Sequence, residues 1–165
     1  MNHNIKTDRL NLNMVQSSDA EKLLTLRTHP VVTKYIKRNL NITLEDIDRS
    51  IVRWRKENYL YLISTIDNNE FAGTITIWNI DRVNKQAELG YELLPEFQNK
   101  GIMSNAISAV LKYAFTDLEF ELIEACTHKE NLNSRKLLEK NGFYLLKDRV
   151  DEDNLNNVIY EIRKM

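Results

Sequence analysis

The chain has 165 residues, 42% of them hydrophobic and 28% charged, a length and balance that suit one soluble domain, 1–165, around one core. Lysine plus arginine number 23 against 24 acidic residues, so a net charge of -1 supplies no global attraction to nucleic acid or to an acidic membrane surface. The single cysteine, Cys126, excludes an internal disulfide and, without ligand-like neighbours, gives no support for structural zinc or another metal.

The opening segment, MNHNIKTDRL, has neither the apolar run of a signal peptide nor Arg-rich transit character, and no later window approaches transmembrane length; a cytoplasmic location is expected. No repeat, low-complexity tract or linker follows. Leu10, Leu12 and Met14 alternate with polar residues as a first strand. Ser17-Ser18-Asp19 caps a helix to about Arg27, which His29-Pro30 ends. Thr43, with Asp46 three residues on, resembles a capping box and opens a second helix to about Lys56, with Ile47, Ile51 and Trp54 on one face. Tyr59 to Ile66, the turn Asp67-Asn68-Asn69-Glu70, and Gly73 to Trp78 are expected to form a β-hairpin.

Gln86 to Leu94 reads as the next strand, in which Gly90 points to a bulge or a close backbone approach. Gly101 to about Leu118 reads as a helix whose polar stripe is narrow, Ser104, Ser108, Lys112 and Thr116 at i, i+4 spacing, so most of its surface is expected to be buried. Leu122 to Thr127 is a strand, and a strand, a buried helix and a strand at this spacing predict a right-handed parallel crossover. Asn131 opens a short helix that Asn141-Gly142 closes, and Lys136 and Lys140 suit its C-terminal dipole. Phe143 to Val150 and Val158 to Arg163 are expected as the last strands. The predicted fold class is α/β, with a mixed sheet that is antiparallel at both ends and parallel at the crossover.

Where the strand exits through Pro95, the turn Gln98-Asn99-Lys100-Gly101-Ile102-Met103 leads into the buried helix. The first N–H groups of a helix lack intrahelical partners and carry the positive end of its dipole, so such a turn can hold a diphosphate by backbone alone if no side chain blocks it. Gly101 supplies that clearance, Lys100 a charge-assisted contact and the Ser104 hydroxyl a further hydrogen bond. The plain alternative is a solvated helix start that happens to contain Lys and Gly. Neither Gly-x-Gly-x-x-Gly nor Gly-x-x-x-x-Gly-Lys-Ser/Thr occurs, which removes the usual dinucleotide and P-loop readings.

This order of elements, with the turn following Ala87-Glu88-Leu89-Gly90-Tyr91, resembles the GNAT acetyltransferase superfamily. Within it the chain is most similar to the branch of ribosomal-protein N-terminal acetyltransferases, which open with Thr-x-Arg-Leu, here Thr7-Asp8-Arg9-Leu10. Their later signature appears as Asn131-Leu132-Asn133-Ser134 and Glu139-Lys140-Asn141-Gly142-Phe143, so the resemblance covers residues 7–165. It implies a GNAT fold and acetyl-CoA as co-substrate, with no metal. The turn from Gln98 to Met103 would wrap the coenzyme A pyrophosphate, Leu93 and Leu94 would hydrogen-bond the pantetheine through their backbone, and Asn131 would contact the cofactor arm. Met103 departs from the commonest Gly or Ala of that turn.

Acetyl transfer to an amine requires loss of an ammonium proton, stabilisation of the tetrahedral oxyanion and a means for the thiolate to leave. By resemblance Glu88 is the expected general base, against the alternative of a strand glutamate in a structural ion pair with Lys or Arg across the sheet. The family's tyrosine acid is missing, because its place is Leu138; Ser134 could hydrogen-bond the sulfur instead, or simply be a polar residue of a helix first turn. Backbone N–H groups near Leu93, exposed by a bulge at Gly90, would meet the oxyanion. His128 is left out as a structural residue, and Cys126 lacks a neighbour that would activate it for an acyl-cysteine route. The acidic run Asp151-Glu152-Asp153 reads as a solvated loop.

The expected acceptor is a primary amine, first a protein N-terminal α-amine such as that of a ribosomal protein. A small-molecule amine (aminoglycoside or polyamine) and a non-catalytic acetyl-CoA sensor stand as alternatives. Val31 to Trp54 and Asp81 to Lys85 would set acceptor choice, with Tyr35, Trp54 and Trp78 as pocket or core aromatics. A homodimer is implied only at family level, and neither nucleic acid nor membrane is expected as a direct partner.

Overall fold

Thr43 and Asp46 hold each other's backbone, Asp46 N–H donating to Thr43 Oγ1 at 3.2 Å and Thr43 N–H to Asp46 Oδ2 at 2.9 Å, and this full capping box starts the longer N-terminal helix. The computed structural model describes residues 2–165; Met1, the first residue of the expected domain and N-terminal segment, lies outside them. In chain order the elements are β1 Ile5–Lys6, β2 Leu10–Met14, α1 Ala20–Thr28, α2 Leu44–Glu57, β3 Tyr59–Thr65, β4 Phe71–Asp81 and β5 Gln86–Leu93. They continue as α3 Ile102–Thr116, β6 Leu122–His128, α4 Leu132–Lys140, β7 Tyr144–Leu145 and β8 Asn157–Arg163. No helix among the described residues is long and apolar enough to cross a membrane.

All eight strands form one sheet in the order β1-β2-β3-β4-β5-β6-β8-β7. Among the described residues only β5 and β6 run parallel, joined by the crossover through α3; the other pairs are antiparallel. The main core gathers Tyr61, Ile63, Ile75, Ile77, Ala87 and Leu89 from the strands with Ile102, Met103, Ala106, Ile107 and Val110 from α3. Ser108, Lys112 and Thr116 keep the outer face of α3 in water, as the narrow stripe requires. A second cluster packs Ile47 and Ile51 of α2 against Leu23, Leu60 and Leu62.

Three local expectations change. The β4–β5 register runs unbroken through Thr76↔Gly90, so no bulge lies at Gly90; the shift comes between Trp78 and Asp81, where Asn79 takes φ 48°. The close approach belongs to Gly73, where a Cβ would stand 2.1 Å from the Glu92 carbonyl oxygen, whereas at Gly90 it would meet Trp78 Nε1 at an ordinary 3.5 Å. Instead of a strand to Val150, β7 stops at Leu145, and the chain then turns so that Arg149 pairs with Glu124 on β6.

Candidate active site

The parallel ladder between β5 and β6 covers Gln86↔Leu122, Ala87↔Ile123 and Glu88↔Glu124 and then ends, while β5 stays with β4 and β6 with β8. The two strands part there, and a cleft of about 1950 Å³ opens against them. Pockets for one small ligand are roughly 300–1,000 Å³, so this space suits two substrates or one long one. Glu88, Leu93, Gln98, Asn99, Gly101, Ile102, Met103, Ser104, Asn131 and Ser134 all line it; Leu94 and Lys100 do not.

At the turn, Asn99 (φ 60°) and Gly101 (φ 77°) are both left-handed. The first helical bond of α3 closes from Asn105 N–H to the Gly101 carbonyl at 3.1 Å, and the N–H groups of Ile102, Met103 and Ser104 ahead of it have no hydrogen-bond partner among the described residues. The side chains of Ile102 and Met103 are buried in the core, so the main chain is what they offer to the cleft. Met103, where the turn of the resembling family most often carries Gly or Ala, packs its side chain into the core.

Side chains hold this turn. Gln98 Nε2 donates to the Leu93 carbonyl at 3.0 Å, tying the end of β5 to the turn, and Arg9 Nη2 donates to the Lys100 carbonyl at 2.7 Å. The Lys100 side chain is exposed, outside the cleft. Leu94 gives its N–H to the Ala72 carbonyl at 2.8 Å and buries its side chain, so it has no free donor for a pantetheine. Ser104 Oγ accepts from Asn141 Nδ2 at 3.2 Å, and Asn131 Oδ1 caps α4 by accepting from Ser134 N–H at 3.2 Å, leaving the Asn131 amide nitrogen available.

Glu88 is half-buried and lies on the β5 face shared by Gly90 and Glu92, opposite Trp78, Thr76 and Thr74 of β4. Asn79 Nδ2 donates to Glu88 Oε2 at 2.6 Å and the Cys126 thiol to Oε1 at 3.6 Å. No lysine or arginine pairs with Glu88 among the described residues, so the cross-sheet ion pair is not formed. Burial, and then the nearby Glu88 carboxylate, push the Cys126 thiol up to about 12, which keeps it a thiol rather than a nucleophile. Leu138, at the place of the family's tyrosine, is fully buried and faces the core.

Among the other side chains that line the cleft, Tyr35 and Trp54 are the pocket or core aromatics expected from sequence, whereas Thr127, Glu92, Arg27 and Arg38 have no role assigned from sequence. Tyr91 and Thr127 bracket Ser134, with Tyr91 OH 2.7 Å from Ser134 Oγ and Thr127 Oγ1 donating to it at 2.9 Å. On the opposite wall Glu92 accepts from Arg38 and lies 3.6 Å from Arg27, whose guanidinium stacks 4.8 Å over the Trp54 ring. Burial, and repulsion from Arg38, lower the Arg27 pKa against the pull of Glu92. Tyr35 reaches across to His128, ring centroids 5.0 Å apart, while His128 Nδ1 accepts from Glu130 N–H at 3.1 Å. Only the placement of these residues on different strands and loops brings them together.

The sequence model of the family described as "Acetyltransferase (GNAT) domain" matches residues 9–144. The chain is 31% identical over 147 residues to the uncharacterized N-acetyltransferase YoaA of Bacillus subtilis (strain 168), covering 84% of this chain and 81% of that protein. It is 27% identical over 113 residues to the ribosomal-protein-serine acetyltransferase of Escherichia coli (strain K12), covering 63% of each. Among solved structures, RimL, a ribosomal alpha-N-protein acetyltransferase in complex with coenzyme A, superposes with TM-score 0.78 at 21% identity and 98% coverage of each chain. The spermidine N-acetyltransferase of Vibrio cholerae in complex with CoA and spermine gives 0.82 at 18% identity and 94% coverage of each. A mixed sheet with one parallel pair, an open fork between β5 and β6 and these matches agree, and the chain belongs to the GNAT family of N-acetyltransferases.

Proposed function

We propose that the chain transfers acetyl from acetyl-CoA directly to a primary amine, with a protein N-terminal α-amine, such as that of a ribosomal protein, as the leading acceptor. The observation that carries this reading is the fork between β5 and β6, with N–H groups of the turn that have no partner among the described residues at one end and, beside it, Glu88 held by Asn79 and in no ion pair among those residues. In this reading the N–H groups of Ile102, Met103 and Ser104 bind the pyrophosphate, and Gly101 keeps the approach open. Asn99 and Leu93 offer backbone groups, and the Asn131 amide contacts the cofactor arm. Gln98 acts by fixing the turn. Glu88, held by Asn79, draws the ammonium proton, directly or through water. Ser134 hydrogen-bonds the thioester sulfur.

The similarity to ribosomal-protein acetyltransferases supports the protein acceptor. A polyamine acceptor is the second reading, favoured by Asp151, Glu152 and Asp153, which line the same cleft as Glu88 and Glu124 and would attract a polycation. An acceptor screen with labelled acetyl-CoA, spanning N-terminal peptides, polyamines and aminoglycosides, separates the two. Acetylation of peptides at the α-amine supports the first reading, and acetylation confined to polyamines replaces it by the second. Tight coenzyme A binding without any acceptor would instead favour a sensor. A single domain over 1–165 and a cytoplasmic setting belong to this reading on composition and residue pattern, and a homodimer on resemblance.

A further inference from the structure

Three hydroxyls from three elements meet at Ser134 Oγ: Tyr91 from β5, Thr127 from β6, and Ser134 itself in the first turn of α4. Thr127 Oγ1 donates to Ser134 Oγ at 2.9 Å. Tyr91 OH lies 2.7 Å from that oxygen, in a bond where either hydroxyl can donate, and 3.4 Å from the Ser134 carbonyl; of the two hydroxyls the phenol is the more acidic and so the better donor. A serine oxygen accepts two hydrogen bonds and donates one. With the phenol as donor, both acceptor positions of Ser134 Oγ are filled and its hydrogen is left for the cleft that Ser134 lines.

We propose that Tyr91 and Thr127 are positioning residues that orient the Ser134 hydroxyl as a fixed hydrogen-bond donor to the coenzyme A sulfur, so that the thiolate leaves stabilised but not protonated by the protein. This rests on the reading of the cleft as the acetyl-CoA site. As the tetrahedral adduct collapses, the C–S bond breaks and its electron pair goes to sulfur. Two protons leave the nitrogen, the ammonium proton before attack and one from the adduct as it becomes an amide; Glu88 passes each in turn to solvent, Ser134 keeps its hydrogen while sharing it with the thiolate, and the thiolate takes a proton from solvent after release. Burial pushes the Tyr91 phenol up to about 12, well above the ~8.5 of an ordinary thiol. An aliphatic hydroxyl holds its proton more tightly still, so none of the three groups yields one to a thiolate on balance.

The test titrates the thiol of bound coenzyme A by its thiolate ultraviolet absorbance, with the ligand-free protein as blank, and needs no acceptor. A donor to the thiolate lowers the thiol pKa. In the wild-type complex the acid dissociation constant should rise about tenfold over free coenzyme A, a shift in the range of one charge-assisted hydrogen bond. Ser134→Ala should abolish the rise, Tyr91→Phe and Thr127→Val should each remove part of it, about threefold, and Thr127→Ser, which keeps the hydroxyl, should behave as wild type. Wild-type values in both Tyr91→Phe and Thr127→Val would overturn the proposal, as would a bound thiol no more acidic than the free one. Failure of the wild-type protein to bind coenzyme A would remove the reading of the cleft itself, an outcome distinct from binding without a shift.

Discussion

The guanidinium of Arg9 and the carbonyl of Lys100, 91 residues apart in sequence, are joined by a 2.7 Å hydrogen bond. Two residues earlier Thr7 Oγ1 donates to Asn105 Oδ1 at 2.7 Å and accepts from the N–H groups of Arg9 and Leu10. The segment before β2 therefore holds the turn on both sides of Gly101, which gives a structural purpose to Thr7-Asp8-Arg9-Leu10. With the Lys100 carbonyl turned outward to Arg9, the N–H groups that follow stay available to the cleft. Arg9→Ala should weaken coenzyme A binding about fivefold, in line with one charge-assisted bond at an exposed site. Isothermal titration reads this directly, and an unchanged dissociation constant would mean that the turn holds itself.

Gly101 is the position where substitution should cost most. Its φ of 77° is strained for any residue with a Cβ, and that Cβ would stand 3.1 Å from Arg9 Nη1. Gly101→Val should lower stability by about 1–2 kcal/mol through the left-handed backbone alone and should abolish coenzyme A binding because the side chain fills the anion space. Urea unfolding and titration calorimetry measure the two effects separately; normal affinity in a folded variant would sink the phosphate assignment.

Glu88→Gln keeps the shape and the contact with Asn79 while removing the base. Turnover should fall by about 10²–10⁴, the usual contribution of a positioned base, with coenzyme A affinity unchanged. Asn79→Ala should give a smaller drop of the same kind, since it frees the Glu88 carboxylate without removing it. Both are read by steady-state rates with the acceptor found in the screen, and wild-type turnover in Glu88→Gln would take this residue out of the mechanism.

Restoring the family's tyrosine should not restore an acid. Leu138 is fully buried among core side chains, so Leu138→Tyr adds volume and a hydroxyl where neither has room. A loss of about 1–3 kcal/mol in urea unfolding is expected, without a faster chemical step in single turnover. A stable variant with increased turnover would contradict the placement of this position in the core.

Alkaline pH should destabilise the fold by a calculable route. The Cys126 thiol is raised from 9.0 to about 12 and the Tyr91 phenol from 10.0 to about 12, each mainly by burial. Both groups hold their protons more tightly folded than unfolded, so their contributions are full below the unfolded values and are lost as pH rises through the folded ones. Urea midpoints should fall from about pH 9 upward, and Cys126→Ala should remove the part of the decline that starts first. A flat profile from 9 to 11 would contradict the burial of these groups.

Much of this architecture is written in local pattern. The alternation at Leu10, Leu12 and Met14, the capping residues Thr43 and Asp46, the asparagine cap of α4 and the polar stripe of α3 each act within one turn or one strand. Neighbouring residues are enough to dictate them. The turn from Gln98 to Met103 was legible for the same reason, since a glycine at a helix start has its effect where it stands. The Gly90 bulge failed because a strand glycine signals a need for space without saying which neighbour needs it, and the close approach fell at Gly73 instead.

What tertiary structure alone decided is which polar atoms remain free. That Leu94 spends its N–H on Ala72, that Glu88 meets Asn79 and Cys126 rather than a basic residue, and that Tyr91 and Thr127 converge on Ser134 depend on strands far apart in sequence. A hydrogen bond extends only about 3 Å, so such pairings are fixed by the packing of the sheet and not by spacing along the chain. The sequence by itself determined the fold class and the glycine turn at the start of α3; the open fork between β5 and β6, and the hydroxyls that line it, exist only once the sheet is assembled.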